Sequence, residues 1–385
     1  MFIVVRDAIL INLMFKYLSS QIQLIMNVAQ VCPRFYPHIG GVETHVYEIS
    51  KRLAKQFNVE IITTDPSGKL AKTEEIEGII IRRFKSFAPA DAYYFSLDLY
   101  QYLKRHSLDY DVIHAHNYHA FPALFAALAK CRNKLVFTPH YHGKGHSFVR
   151  NVFHKPYKII GNIIFEKAEA IICVSNFERK LILRNFRLNT SRIFVIPNGI
   201  DLDEFRSIDI NKIKKQKDKT LKNILYVGRI EKYKGVDYIV KALKYLPENY
   251  VLEIVGKGTY KQKIIKIAKK LGVIHRIRFF QDLCRSKLIE KYVKADVLVL
   301  LSRFEAYGLV VAEALACKTP CIVANTSALR EWIDNKSVFG IDVPINIEKL
   351  AKLIIKASNI EIKIRQSITG WDDVYAKLYH VYSEI

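Results

Sequence analysis

The segment Ile22–Lys55, IQLIMNVAQVCPRFYPHIGGVETHVYEISKRLAK, contains in one pass the unit from which the chain is built. Ile22–Val31 is an apolar run that reads as a strand. Pro37-His38-Ile39-Gly40-Gly41-Val42-Glu43 follows as a turn, and Thr44–Lys55 then carries apolar residues three and four apart, the helical period. Paired glycines let backbone approach a ligand closely, and the helix behind them offers unpaired N–H groups and a positive dipole end to a phosphate. A tight turn without a ligand is the commoner reason for such a pair, and the dinucleotide fingerprint GxGxxG is absent.

The unit repeats along nearly the whole length. Val59–Thr63, Ile79–Arg83, Val112–Ala115, Lys134–Thr138, Ala170–Val174 and Ile193–Ile196 read as strands in the first half, with Tyr94–His106 as a further helix. The second half gives strands at Ile224–Val227, Val251–Val255, Ile277–Phe280, Val297–Leu301 and Cys321–Val323. Its helices are Gly235–Tyr245, Tyr260–Leu271, Ser286–Val293, Leu309–Ala316 and Glu348–Ala357. This alternation predicts an α/β fold with parallel sheets and helices on both faces. Asp209–Lys222 (DINKIKKQKDKTLK) is polar, lysine-rich and without periodicity, so it reads as a linker or exposed loop. The division is therefore an extension at 1–25, a first domain at 26–208, the linker at 209–222, a second domain at 223–370 and a helical segment at 371–385 that the sequence does not place. Two open sheets joined this way leave a cleft between the carboxyl ends of their strands, where such sheets bind ligands.

Composition agrees with two folded domains. Of 385 residues, 50% are apolar, which excludes disorder as the main state, and six cysteines form no CxxC pair, which suits a reducing, cytoplasmic setting. The net charge is +23, spread evenly: 26 basic against 15 acidic residues before position 200, and 34 against 22 after it. Val112–Phe165 holds no Asp or Glu but seven Lys or Arg and seven histidines. Such a surface attracts phosphorylated ligands, an anionic membrane or nucleic acid. With no zinc-finger, RNP or basic-heptad pattern, nucleic acid is set aside. A merely solvated lysine-rich surface explains the charge as well as a membrane-facing one. Met1–Ser20 is interrupted by Arg6, Asp7 and Lys16, too broken to span a bilayer and without a cleavage site for a signal. It is an interfacial amphipathic segment, or the true start is Met26; the second reading is preferred because a strand begins at once from Asn27.

Four groups of residues could carry chemistry. Beside the glycine turn stand His114, His116, His140, His142 and His146, each near a strand end. A metal site needs three or four ligands and usually a carboxylate; Asp111 alternates in direction with its strand neighbours and no HExxH is present, so a polar cleft wall is expected instead. His140, after Thr138-Pro139, is best placed to meet substrate. Gly228-Arg229-Ile230-Glu231-Lys232-Tyr233-Lys234-Gly235 sets two cations at a strand–helix junction, which suits a diphosphate, Arg as a fork and Lys as a point charge. An isolated pair of this kind is solvated surface about as often. Glu305-Ala306-Tyr307-Gly308-Leu309-Val310-Val311-Ala312-Glu313 places two carboxylates about 80° apart if the helix is continuous. If Gly308 opens the helix, Glu305 lies on a loop and Glu313 in the second turn, and both address one long ligand. Carboxylates accept from sugar hydroxyls. Asp201-Leu202-Asp203 has the DxD form of some metal-dependent sugar transferases, but after Pro197-Asn198-Gly199 it reads as a helix cap.

In this order and spacing the pieces resemble the retaining sugar transferases of glycosyltransferase family 4, from Met26 to the C-terminus. The matches are GGVETH (Gly40–His45), DVIHAH (Asp111–His116), TPHYH (Thr138–His142), IICVSNF (Ile171–Phe177), VIPNGID (Val195–Asp201), YVGRIEKYKG (Tyr226–Gly235), VGKG (Val255–Gly258) and the Glu305/Glu313 pair. The resemblance implies the GT-B architecture: two Rossmann-like, doubly wound domains facing a cleft, with a UDP- or GDP-sugar on the second and a hydroxyl acceptor on the first. It implies that Arg229 and Lys234 neutralise the departing diphosphate and that Gly40 and Gly41 offer backbone N–H groups from across the cleft. Glu313 would hold the ribose, Glu305 and the backbone around Gly308 and Leu309 the donor sugar, with Gly256 and Tyr307 nearby and His140 at the reacting face. It further implies retention, no metal, no other cofactor and no protein nucleophile. Lys318, Asn325-Thr326-Ser327-Ala328 and Tyr307 depart from the usual Gly, glycine-rich turn and Phe; a left-handed Lys318 would cost about 1 kcal/mol. YPHIGGVETH beside a basic first domain is similar to enzymes that glycosylate phosphoinositide-type lipids, which suggests a lipid or glycan acceptor at an anionic, cytoplasmic membrane face. The rival readings are a nucleotide-sugar epimerase on the same fold and a non-catalytic sugar-nucleotide-binding subunit. The first is disfavoured by the Arg229–Lys234 motif, the second by the survival of Arg229, Lys234 and Glu305.

Overall fold

The computed structural model describes residues 26–141, 143, 148–362 and 368–385; the 1–25 extension, His142 and His146 lie outside them. Eight strands form the first sheet: β1 (Asn27–Val31), β2 (Asn58–Asp65), β3 (Thr73–Ile76), β4 (Ile79–Lys85), β5 (Val112–His116), β6 (Lys134–Thr138), β7 (Ala170–Cys173) and β8 (Ile193–Val195). Their order is β3-β4-β2-β1-β5-β6-β7-β8. All pairs are parallel except β3–β4. The second sheet comprises β9 (Lys222–Val227), β10 (Tyr250–Val255), β11 (Ile277–Phe280), β12 (Val297–Leu300), β13 (Cys321–Ala324) and β14 (Val338–Ile341), in the order β11-β10-β9-β12-β13-β14 and parallel throughout. Every residue of β5, β7 and β10 is buried, as strands covered on both faces must be.

Helices α1 (Gly41–Leu53), α2 (Leu97–His106), α3 (Phe121–Ala129), α4 (Phe148–Lys167) and α5 (Asn176–Asn185) serve the first sheet. Two expected starts shift for local reasons. α1 begins at Gly41, three residues early, because extended Gly40 caps it, and α2 begins at Leu97 because Ser96 caps the amide of Leu99. β3 went unread because TEEI is not apolar; the Glu77-Gly78 turn behind it has both residues left-handed, the hairpin geometry that matches strand twist.

The stretch expected as a linker is partly helical. After α6 (Leu202–Arg206), Asp209 caps α7 (Ile210–Lys215), and Ile210 and Ile213, one turn apart, rest on the second core. Asp201 is likewise a cap, accepting from the Glu204 amide at 3.2 Å. The second domain continues with α8 (Val236–Ala242), α9 (Lys261–Lys270), α10 (Arg285–Lys294), α11 (Leu309–Ala316) and α12 (Ile347–Ala357). The final helix, α13 (Trp371–Glu384), returns to the first domain. Trp371, Val374, Leu378, Val381 and Tyr382 join Val28, Ile49 and Ile61 in one buried cluster. The outgoing and returning chains pair where they cross: Ile200 N–H donates to Thr369 and Trp371 N–H to Ile200. A Cβ on Gly199 would meet the Trp371 nitrogen at 2.6 Å, so only glycine fits that crossing.

Strand order reverses at two places, β1/β5 in the first sheet and β9/β12 in the second. Open α/β sheets bind ligands outside the carboxyl ends of such strands. The glycine turn and His116 lie at one switch point, Arg229 and the loop before Gly308 at the other.

Candidate functional site

At the β9 end, Gly228 and Gly256 pack backbone on backbone; a Cβ on Gly256 would lie 2.0 Å from the Gly228 carbonyl oxygen. That contact explains Gly256 as a packing glycine. Arg229 is exposed beyond it, donating from Nη2 to the Tyr233 hydroxyl at 2.7 Å. Lys234 follows on a single 3-10 turn, its Nζ over the Tyr233 ring and 2.5 Å from Glu305 Oε1. Lys234 and Glu305 keep 13% and 18% of their side-chain surface open, so the pair faces a crevice rather than bulk water. An ammonium has three N–H donors, and Glu305 takes one.

Gly308 opens α11 in a left-handed conformation (φ 101°), which settles the two readings of the glutamate pair. Glu305 lies on the loop, its amide donating to Ser327 Oγ, and Glu313 lies in the second turn. Tyr307 stands edge-on to Trp332, whose indole donates to the Tyr307 carbonyl at 2.9 Å. Leu309 reaches across to the first domain: a Cβ on Gly41 would be 4.0 Å from Leu309 Cδ1. The glycine turn and the N-terminus of α11 thus meet across the cleft. Gly40 is covered by the Glu43 carboxylate, which Arg34 Nε holds at 2.6 Å.

The histidines divide. His114 belongs to the core, not the cleft: Nδ1 pairs with the Tyr382 hydroxyl and Nε2 with Thr138 Oγ1, both at 2.7 Å. Asp111 sits at the far end of β5, accepting from the Asn27 amide. His116 and His140 come together with His45 on α1, which the motif GGVETH contains but which was not singled out. His140 has a left-handed backbone (φ 49°), uncommon for a non-glycine residue and typical of functional sites. Burial pushes the His45 pKa down to about 4 and those of His116 and His140 well below their ordinary value, so all three rings are neutral.

Residues 39–204 match the model of Glycosyltransferase Family 4, and residues 207–369 that of Glycosyl transferases group 1. The chain belongs to this glycosyltransferase family. A D-inositol 3-phosphate glycosyltransferase of Xylanimonas cellulosilytica is 26% identical to it over 388 residues, covering 90% of this chain and 92% of that one. An uncharacterized glycosyltransferase of Methanocaldococcus jannaschii is 30% identical over 263 residues, 62% of this chain and 65% of the relative. Sucrose-phosphate synthase from Thermosynechococcus elongatus shares the two-domain GT-B fold (TM-score 0.77, 19% identity, 93% and 98% coverage). So does HepE of Anabaena, solved with UDP and glucose (TM-score 0.76, 16% identity, 94% and 100% coverage).

Several residues of this glycosyltransferase that shape the site were not read from the sequence. Arg285 and Tyr292 hold the Glu313 carboxylate, and Arg285 also reaches Glu204 at 2.8 Å. Glu331 accepts from the amides of Asn176 and Phe177, joining the second domain to the start of α5. Glu178, fully buried, accepts from the Val174 and Tyr141 amides and so fixes the chain just past His140. That last residue left a local signal: Ser175-Asn176-Phe177-Glu178 is the S-x-x-E form of a capping box. The Ser175 hydroxyl does cap the Glu178 amide, at 3.1 Å.

Proposed function

We propose that this glycosyltransferase moves a hexose-type sugar, with retention and without a metal in the transfer step, from a UDP- or GDP-sugar to a hydroxyl on a lipid or glycan. The observation that carries the reading is the convergence of Arg229, Lys234, Glu305 and the start of α11 on one switch-point crevice, faced by the Gly40–Gly41 turn. As the bond from the anomeric carbon to the phosphate oxygen lengthens, negative charge grows on the diphosphate. Lys234, through its remaining donors, and the Arg229 fork stabilise that charge, the largest kind of term a fixed site supplies. Leu309 and Val310 stand in the first turn of α11, whose amides point at the same place. Glu313, oriented by Arg285 and Tyr292, keeps lone pairs for ribose hydroxyls. Glu305, paired with Lys234, accepts from the donor sugar and is not the nucleophile; the acceptor oxygen arrives beside His140 on the face the diphosphate leaves, bonds to the anomeric carbon, and gives its proton to the departing phosphate oxygen. UDP in complexes of a fold neighbour and the sugar transfer named for the relatives support a nucleotide-sugar donor.

A thermal-shift panel of nucleotide-diphosphate sugars tests this. A ligand at a hundred times its Kd adds about 2.7 kcal/mol to stability. One donor should raise the melting temperature of the wild type and not of Arg229→Ala; no hit, or a hit indifferent to Arg229→Ala, overturns the reading. The acid-free stretch Val112–Phe165 supports an acceptor at the cytoplasmic membrane face, and among the described residues no helix is long and apolar enough to cross a membrane. Preferential binding to anionic over neutral vesicles is expected, falling with salt. Equal binding to both removes the membrane part alone.

A further inference from the structure

Behind the cleft face of His140, its ring joins those of His45 and His116 in a cluster to which the transfer reading gives no role. Its ring centroids lie 5.2–6.0 Å apart. One nitrogen from each ring comes within 4.8 Å of the other two. His45 Nε2, His116 Nδ1 and His140 Nε2 are the buried nitrogens of these rings left without a hydrogen bond among the described residues, and so the ones open to a ligand. Buried polar atoms are normally satisfied, so three orphans in one cluster require an explanation.

The opposite ring edges supply it. His45 Nδ1 faces Asn198 Oδ1 at 2.9 Å, and His116 Nε2 faces Gln30 Oε1 at 2.8 Å. The Gln30 amide nitrogen donates to the Tyr382 hydroxyl, the bond from which its orientation is assigned. With amide oxygens as acceptors, the proton of each neutral ring sits on that outer nitrogen and the lone pair points inward. A histidine that donates its outer N–H to a carbonyl is the usual partner arrangement of a metal ligand. Two inward lone pairs, beside the unpartnered Nε2 of His140, suit something electron-poor between the rings.

We propose that His45 Nε2, His116 Nδ1 and His140 Nε2 form a three-histidine site for one zinc ion, holding the His140 wall of the cleft from behind. All-imidazole ligands without thiolate or carboxylate suit zinc, and three protein ligands leave a fourth position for water. Tetrahedral ligands at about 2.0–2.1 Å lie about 3.3 Å apart, so binding draws the rings inward. The ion holds His140 in its left-handed backbone and is separate from the diphosphate, which the chain's own cations meet.

The test uses tag-free, chelator-stripped full-length protein, titrated with Zn²⁺ and, for its visible d–d spectrum, Co²⁺. One equivalent should survive gel filtration, with the intense d–d absorption of four-coordinate cobalt and a higher melting temperature. His45→Gln and His116→Gln should each abolish retention, and Asn198→Ala should weaken affinity about 10–100-fold through the lost outer bond. Surface His380→Gln should change nothing. Failure to retain an equivalent, a weak six-coordinate cobalt spectrum, or retention unchanged in both cluster variants overturns the site. Should the cluster variants not fold, the wild-type stoichiometry and cobalt spectrum decide. None of these readouts needs turnover, so the site and the transfer reading fail independently.

Discussion

At the scale of single residues, what decides this site is how its charged groups are shared out. Lys234 is not a free cation: Glu305 neutralises part of it, and the pair stays wet enough to receive a ligand. That balance keeps Lys234 from standing as an uncompensated charge in the ligand-free crevice. The places of Arg229, Lys234, Glu305 and Glu313 in the fold were legible because each sits a few residues from a strand end or helix start. Arg285 was not, since it lies 28 residues from Glu313 and 81 from Glu204, and only the packing of α10 beside α11 and α6 joins them. Glu178 was overlooked for a different reason: its capping-box signal concerns α5, whereas its carboxylate reaches 37 residues back to Tyr141. Burial raises its pKa from 4.5 to about 8, against the opposing pull of two amides. The folded state therefore holds a proton that the unfolded state releases above pH 4.5. Stability falls as pH rises from about 4.5 to 8, by at most about 1.4 kcal/mol per pH unit. Melting curves between pH 5 and 8 should show that decline in the wild type and a flatter profile in Glu178→Gln. Parallel profiles would assign the slope to other groups.

At the scale of elements, the alternation of apolar runs with helical periods located nearly every parallel strand to within two residues, because a strand buried on both faces has little freedom of composition. Of what it missed, β3 on the sheet edge and α7 inside the presumed linker are polar, whereas β14 is a buried apolar run of only four residues broken by Gly340. The departure at Lys318 is now explained physically. It follows the last turn of α11 with φ 57° and its amide bonded to Leu315, the left-handed end that glycine ordinarily fills. The side chain is exposed, so burial does not offset a strain of about 1–2 kcal/mol, while a glycine there adds about 0.4–1 kcal/mol of unfolded-chain entropy. Lys318→Gly should therefore raise stability to chemical denaturation by up to about 1 kcal/mol. A lower midpoint at unchanged slope would show that Lys318 has a favourable contact outweighing its backbone.

At the scale of the molecule, two domains with separate cores must hold a crevice at a working width, and few contacts are available to do so. The paired crossing at Ile200 and Gly370 joins them at one end, and α13 ties the chain's last residues back into the first core. Across the opening, Leu309 meets the Gly41 turn, and Glu331 accepts from the first amides of α5. The sequence could not show this last contact, which links residues 154 and 155 positions apart on different sheets. A carboxylate at a helix N-terminus is worth about 0.3–1 kcal/mol when exposed. That is enough to bias a hinge and too little to lock it. The contact also lies beside Tyr307 and Trp332, so closure and the geometry at the start of α11 are linked through one loop. Glu331→Ala should speed hydrogen exchange at the Asn176 and Phe177 amides and enlarge the radius of gyration of the ligand-free protein in X-ray scattering. The melting temperature should barely move, because neither core is touched. Faster exchange without expansion would mean that the hinge, and not this carboxylate, sets the width of the cleft.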